Sequence, residues 1–86
     1  YLSSGEINSR VDDKQAALDR VRQELEFETE EKFEGNTFHG KTAENWWWCN
    51  IRPSNTEPLL RLNVESNHEA LMIEIRDKAI RQIRNS

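Results

Sequence analysis

The sequence holds one cysteine, two prolines and three glycines in 86 residues, and no long apolar run. Each shortage excludes something. Cys49 alone cannot form an internal disulfide, so nothing argues for an oxidising compartment. With His39 and His68 it makes too small and too scattered a set for a structural zinc site. No apolar stretch nears the ~18 residues of a membrane-spanning helix, and no basic-then-apolar leader opens the chain. An Asn-x-Ser/Thr acceptor is also missing. Apolar residues make up only 35% and charged residues 33%, where ~45–50% apolar (glycine included) is usual. Sixteen acidic against twelve basic side chains give a formal charge of −4, which disfavours non-specific nucleic-acid binding. The expectation is a soluble, reduced, cytoplasmic protein that binds neither membrane nor nucleic acid.

A chain of this length buries roughly 60–65% of the surface it exposes when unfolded, enough for one modest core. Residues 1–86 therefore read as a single domain. The first residue is Tyr1 rather than methionine, which suggests a piece of something longer.

Periodicity supplies the elements. Residues 4–11 read as a strand broken at its start by Gly5, with Ile7 and Ser9 alternating against Asn8 and Arg10. Asp12 and Asp13 offer N-caps to a following helix whose stripe is Ala17, Leu18, Val21 and Leu25. Six glutamates between positions 24 and 34 read as a frayed helix end and a solvated loop. Gly35-Asn36 and Gly40 bracket a short strand, Thr37-Phe38-His39. Residues 46–52, three consecutive tryptophans followed by Cys49-Asn50-Ile51-Arg52, form a strand. Trp46 and Trp48 share one of its faces, and Trp47 points with Cys49 and Ile51. A strand over 59–65 alternates Leu60, Leu62 and Val64 against Leu59, Arg61, Asn63 and Glu65. Ser66-x-x-Glu69 reads as a capping box, followed by Met72, Ile75, Ala79 and Ile83 at helical spacing. Leu71, Ile73 and Ile80 widen that face, and Arg76, Lys78, Arg81 and Arg84 gather toward the helix C-terminus, where cations are favoured. The order β-α-β-β-β-α predicts an α+β fold, a mostly antiparallel four-stranded sheet with two helices on one face.

One segment stands apart: Arg52-Pro53-Ser54-Asn55-Thr56-Glu57-Pro58-Leu59-Leu60-Arg61. Ser54-x-x-Glu57 matches a capping box superficially, but Pro58 would then fall inside the helix, where proline is costly. A rigid loop is the better reading, and its composition suits a phosphate. The Ser54 and Thr56 hydroxyls, the Asn55 amide and the backbone N–H groups of residues 54–57 can donate. Arg52 and Arg61 add fork-shaped cationic donors. Pro53 and Pro58 restrict the loop. An alternative stays open, in which Ser54, Asn55 and Thr56 cap their own turn and Arg52 pairs with Glu57.

The run from Asn50 to Glu65, Asn-Ile-Arg-Pro-Ser-Asn-Thr-Glu-Pro-Leu-Leu-Arg-Leu-Asn-Val-Glu, resembles the C-terminal, fourth domain of bacterial phosphomannomutase/phosphoglucomutase, of the α-D-phosphohexomutase superfamily. Ser4-Gly5-Glu6-Ile7-Asn8 looks like the family's approach to that domain, and His39-Gly40 stands where Asp-Gly is more usual. The resemblance implies a TATA-box-binding-protein-like fold and a fragment of a four-domain enzyme, residues 1–4 being a remnant of the interdomain linker. It further implies that hexose 1- and 6-phosphates of mannose or glucose interconvert by intramolecular phosphoryl transfer. The phosphoserine, a Mg²⁺-binding loop and the sugar-recognition loop would lie on the three preceding domains. Neither catalytic nor metal-binding residues are then expected here, and the isolated domain would be inactive. Its task would be to grip the non-reacting phosphate through Arg52, Ser54, Asn55, Thr56 and Arg61, with Pro53, Glu57 and Pro58 supporting the loop, and to close the cleft.

The competing reading is a free-standing module that binds nucleic acid or protein through one sheet face, since exposed aromatics can stack bases. Packing in a core or between domains is the plainer use of the tryptophans. His68 reads as a solvated residue near a helix start, and Cys49 as a small buried hydrophobe.

Overall fold

The computed structural model describes residues 2–32 and 35–85. Glu34, the last of the clustered glutamates, and Tyr1 lie outside them. Eight elements follow in order: β1 (Leu2–Ser3), β2 (Ile7–Arg10), α1 (Lys14–Glu24), β3 (Thr29–Glu31), β4 (Asn36–Lys41), β5 (Trp46–Pro53), β6 (Leu59–Ser66) and α2 (Glu69–Arg84). All strand pairings are antiparallel, in the order β1-β6-β5-β4-β3, with β2 also on β6.

The α+β class and the helix pair are as expected, but the sheet has six strands rather than four. One extra strand is β1, which continues the edge that β2 begins. Both lie along β6, at Ser66–Glu65 and at Leu62–Leu59. Gly5, at φ +72°, makes the jog between them. Ser4 bridges the gap, its N–H donating to Val64 O (2.8 Å) and its hydroxyl accepting from Val64 N (3.0 Å).

The other extra strand is β3, in the run expected to be loop. Glutamate is a poor strand former, but Glu30 is tied down from two sides. Arg22 of α1 grips both of its carboxylate oxygens (2.9 and 2.8 Å), and the Asn36 amide donates to Oε2 at 2.6 Å. The Arg22 hydrogen bonds, with that from Asn36, hold the Glu30 carboxyl below its ordinary value despite its burial.

Strand alternation sorts the two faces. Trp47, Cys49 and Ile51 of β5 and Leu60, Leu62, Val64 and Ser66 of β6 are buried against the helices. Phe38 of β4, Val11, Ala17, Val21 and Leu25 in and around α1, and Leu71, Met72, Ile75, Ala79 and Ile83 of α2 complete the core. Burying each large side chain contributes about 1.5–3 kcal/mol. Gly40 pairs with Trp47 across β4 and β5, and a Cβ there would run into the indole ring. The glycine makes room for the largest core side chain. Arg20 of α1 donates to the carbonyls of Gln82 (2.7 Å) and Ile83 (3.3 Å), satisfying orphan acceptors at the end of α2 and locking the helices together.

The helix starts differ in one respect from expectation. Asp13 caps α1, its carboxylate accepting from Ala16 N at 3.0 Å. The Ser66 capping box does not form. Ser66 is a core-facing residue of β6, and its hydroxyl donates to Trp46 O (2.7 Å) while accepting from His68 N (3.1 Å). The N-cap of α2 is His68, which is exposed and makes no side-chain cap.

Candidate functional site

Strands β5 and β6 place the two loop arginines. Arg52 and Arg61 are directly paired in the ladder and lie on the face away from the helices. They line one cleft with Gly35, Pro53, Ser54 and Asn55. Among the described residues no carboxylate lines it. Glu6 Oε1 lies 3.9 Å from Nη2 of Arg52, whose side chain is part-exposed. Among the described residues Glu57 forms no ion pair with either arginine.

The connecting turn is shorter than the sequence suggests, because Pro53 still belongs to β5 and pairs with Leu60. Ser54 is 5% exposed and holds the turn together. Its hydroxyl accepts from Thr56 N (3.4 Å) and Glu57 N (3.3 Å), and its own N–H donates to Leu59 O at 3.0 Å. Three of the four N–H groups expected to face a ligand are therefore engaged inside the loop. Glu57 contributes through its backbone, its carbonyl accepting from Leu59 N at 2.8 Å.

Asn55 and Thr56 occupy the tip. Asn55 lines the arginine cleft and also a second hollow, on the other side of the loop, with Thr56, Glu57, Pro58, Val11, Asp12, Asp13 and Lys14. The Thr56 side therefore looks toward acids, and the Arg52–Arg61 side toward cations. Two ties dock the loop on the start of α1: Lys14 Nζ donates to Ser54 O at 2.7 Å, and Val11 N donates to Pro58 O at 2.8 Å.

Sequence reasoning missed two members of the site. Gly35 sits at φ +94°, a conformation that favours glycine, and a Cβ there would stand 2.6 Å from Arg52 Cγ. Its turn character was legible, but its place beside Arg52 was not. Lys14 carried no signal at all, being forty positions from the carbonyl it holds.

Arg52 also closes one end of a broader groove on the open sheet face, lined by Glu31, Thr37, His39, Trp48, Asn50 and Asn63. Asn50 donates to Thr37 Oγ1 at 2.8 Å, and His39 Nε2 meets Glu31 Oε1 at 2.7 Å. Trp46, 39% exposed, lies on the same face. Cys49, on the core face, has no access to solvent, and burial pushes its thiol up to about 12.

No helix of the described residues is long and apolar enough to cross a membrane. No three potential metal ligands converge among them either. The paired acids Asp12 and Asp13 do not fit Mg²⁺, since Asp13 is committed to the α1 cap and Lys14 stands in the same hollow.

Residues 6–82 match the sequence model of the family described as phosphoglucomutase/phosphomannomutase, C-terminal domain. A phosphomannomutase of Salmonella montevideo is 43% identical over 86 residues, covering 100% of this chain and 18% of the relative. One from Methanocaldococcus jannaschii is 40% identical over 74 residues, covering 86% and 16%. A protein of Xanthomonas campestris named phosphohexose mutases is 42% identical over 81 residues, covering 93% and 17%. The chain thus spans less than a fifth of the length of each relative.

Proposed function

The chain belongs to the phosphoglucomutase/phosphomannomutase family as its C-terminal domain, and on that ground we propose that it is the phosphate clamp of a phosphohexomutase. In this reading the chain follows the preceding domains of a longer, cytoplasmic enzyme, and Leu2–Ser3, expected to be linker, already pairs with β6. A hexose 1- or 6-phosphate of glucose or mannose binds with its non-reacting phosphate between Arg52 and Arg61. Asn55 donates from the loop tip, and Thr56 joins once the tip turns over the ligand. Ser54 shapes the turn that presents them. Any Mg²⁺ the reaction needs is held by the preceding domains, outside these residues.

The observation that carries the reading is the pair of arginines, side by side on the open face, with no acid among the described residues lining their cleft. Like charges directly opposite destabilise a sheet, so an anion between them turns a cost into an attraction. Charge-assisted hydrogen bonds contribute about 1.5–3 kcal/mol each. Two arginines and a few neutral donors supply about 5 kcal/mol before ordering costs, or millimolar affinity for the domain alone. In phosphoryl transfer, binding energy from a remote phosphate can be spent on cleft closure and orientation.

The test is a titration of the chain with glucose 1-phosphate, followed by backbone amide NMR. Shifts concentrated at residues 52–61 support the clamp; shifts elsewhere, or none at tens of millimolar ligand, sink it. In the longer enzyme Arg52→Ala should cut kcat/KM at least tenfold. The half-open tryptophan face is assigned here to contact with the preceding domains rather than to nucleic acid.

A further inference from the structure

We infer that Lys14 is a positioning residue for the clamp: it holds the Ser54 carbonyl on the helix side of the loop and thereby turns the Asn55 N–H toward the phosphate. The inference rests on the clamp reading and adds to it a residue and a donor group.

The geometry begins with the loop's N–H groups. Ser54 N donates to Leu59 O, and Thr56 N and Glu57 N donate to Ser54 Oγ. The Asn55 N–H has no protein acceptor among the described residues. Asn55 is exposed, so in the free chain water can take this donor and a ligand in the cleft can replace the water. Asn55 lines the cleft that Arg52 and Arg61 share.

Its direction follows from the peptide bond. No peptide of the described chain is cis, and in a planar trans peptide the C=O and the next N–H point in opposite directions. The Ser54 carbonyl accepts from Lys14 Nζ at 2.7 Å. Lys14 stands on the helix side of the sheet, where it borders Leu18, Ile51, Pro53 and Leu60. The Asn55 N–H therefore points away from that side, and Arg52 and Arg61 occupy the opposite face. The cationic donor also polarises the shared peptide, which strengthens its N–H as a donor.

The placement of Lys14 supports a dedicated role. It is the first residue of α1, and no acid occupies the first turn, although the dipole favours acids there and disfavours cations. The carbonyl of Ser54 explains why a lysine stands at that position. Its stem is fixed by the helix, while Val11 N on Pro58 O secures the far end of the same loop.

Inorganic phosphate is titrated into the ¹⁵N-labelled chain, its Lys14→Met and Lys14→Arg variants, with thermal unfolding recorded alongside. Wild type should show a phosphate-dependent shift of the Asn55 amide. Lys14→Met should lose most of that shift and bind at least threefold more weakly, with resonances of α1 beyond its second turn and of β5 up to Cys49 unmoved; Lys14→Arg should keep both. If Lys14→Met does not fold, Lys14→Gln is read by the same criteria. A Lys14→Met chain that titrates like wild type overturns the positioning role and leaves the arginine clamp standing. No response at residues 52–61 in wild type overturns the clamp and the positioning role together.

Discussion

Arg52 and Arg61 face one another across β5 and β6 on the open side of the sheet, and Arg61 has no ion pair among the described residues. Folding keeps two cations side by side at a net cost, roughly 0.2–1 kcal/mol for a cross-strand pair. Arg61→Gln should therefore leave the chain as stable as wild type or more stable by a few tenths of a kcal/mol. The same change should weaken phosphate binding about tenfold, the loss of one charge-assisted bond of ~1.5 kcal/mol. Urea unfolding with and without tens of millimolar phosphate checks both. The salt should raise the midpoint of wild type clearly more than that of the variant, and a variant that responds equally removes Arg61 from the site.

Gly40 and Trp47 share one space. Gly40→Ala should cost about 1–3 kcal/mol, the range for overpacking a well-filled core, with a change in tryptophan emission as the indole of Trp47 is displaced. Chemical denaturation gives the cost directly. A neutral effect would mean that the ring can move aside freely.

Glu30 gives the fold an acid limit. Its carboxyl lies below the ordinary 4.5 because Arg22 hydrogen-bonds the ionised form. A lowered folded value means that the contribution is complete above pH 4.5 and is lost as pH falls below it. Glu30→Gln should flatten the melting temperature profile between pH 5 and 3. An unchanged slope would show that another carboxylate governs the acid side.

Cys49 sets a limit at the alkaline end. Burial holds its thiol near 12, against 9.0 for the free group. Because the neutral form is favoured in the fold, its stabilising contribution is intact below pH 9 and is lost as pH rises toward 12. Iodoacetamide at pH 8 should leave the native chain unmodified and label it fully in denaturant. Rapid native labelling would show that the β5 core opens on that timescale.

How much of this the sequence disclosed depended on how local the cause was. Leu60, Leu62 and Val64 announced β6 by alternation, and Met72, Ile75, Ala79 and Ile83 announced α2, because one face of each element sufficed. Strand β3 was hidden because its residues disfavour strands and the stabilising partner, Arg22, sits in another element. Ser66 misled for a related reason: its spacing to Glu69 matches a cap, yet its parity in β6 turns the hydroxyl to Trp46 O. In the site, Arg52 and Arg61 were legible from the loop alone. Gly35 reaches the cleft, and Lys14 the back of its loop, only through the fold, and no spacing rule connects them to it.

The short acidic strand has one more consequence. Strands β2 and β3 border the sheet on opposite sides, and any edge offers unpaired backbone groups to a second copy. On the β3 side a newcomer in the same orientation would bring the exposed Glu28 and Glu31 against their own likeness. Like charges brought into register there disfavour edge-to-edge pairing.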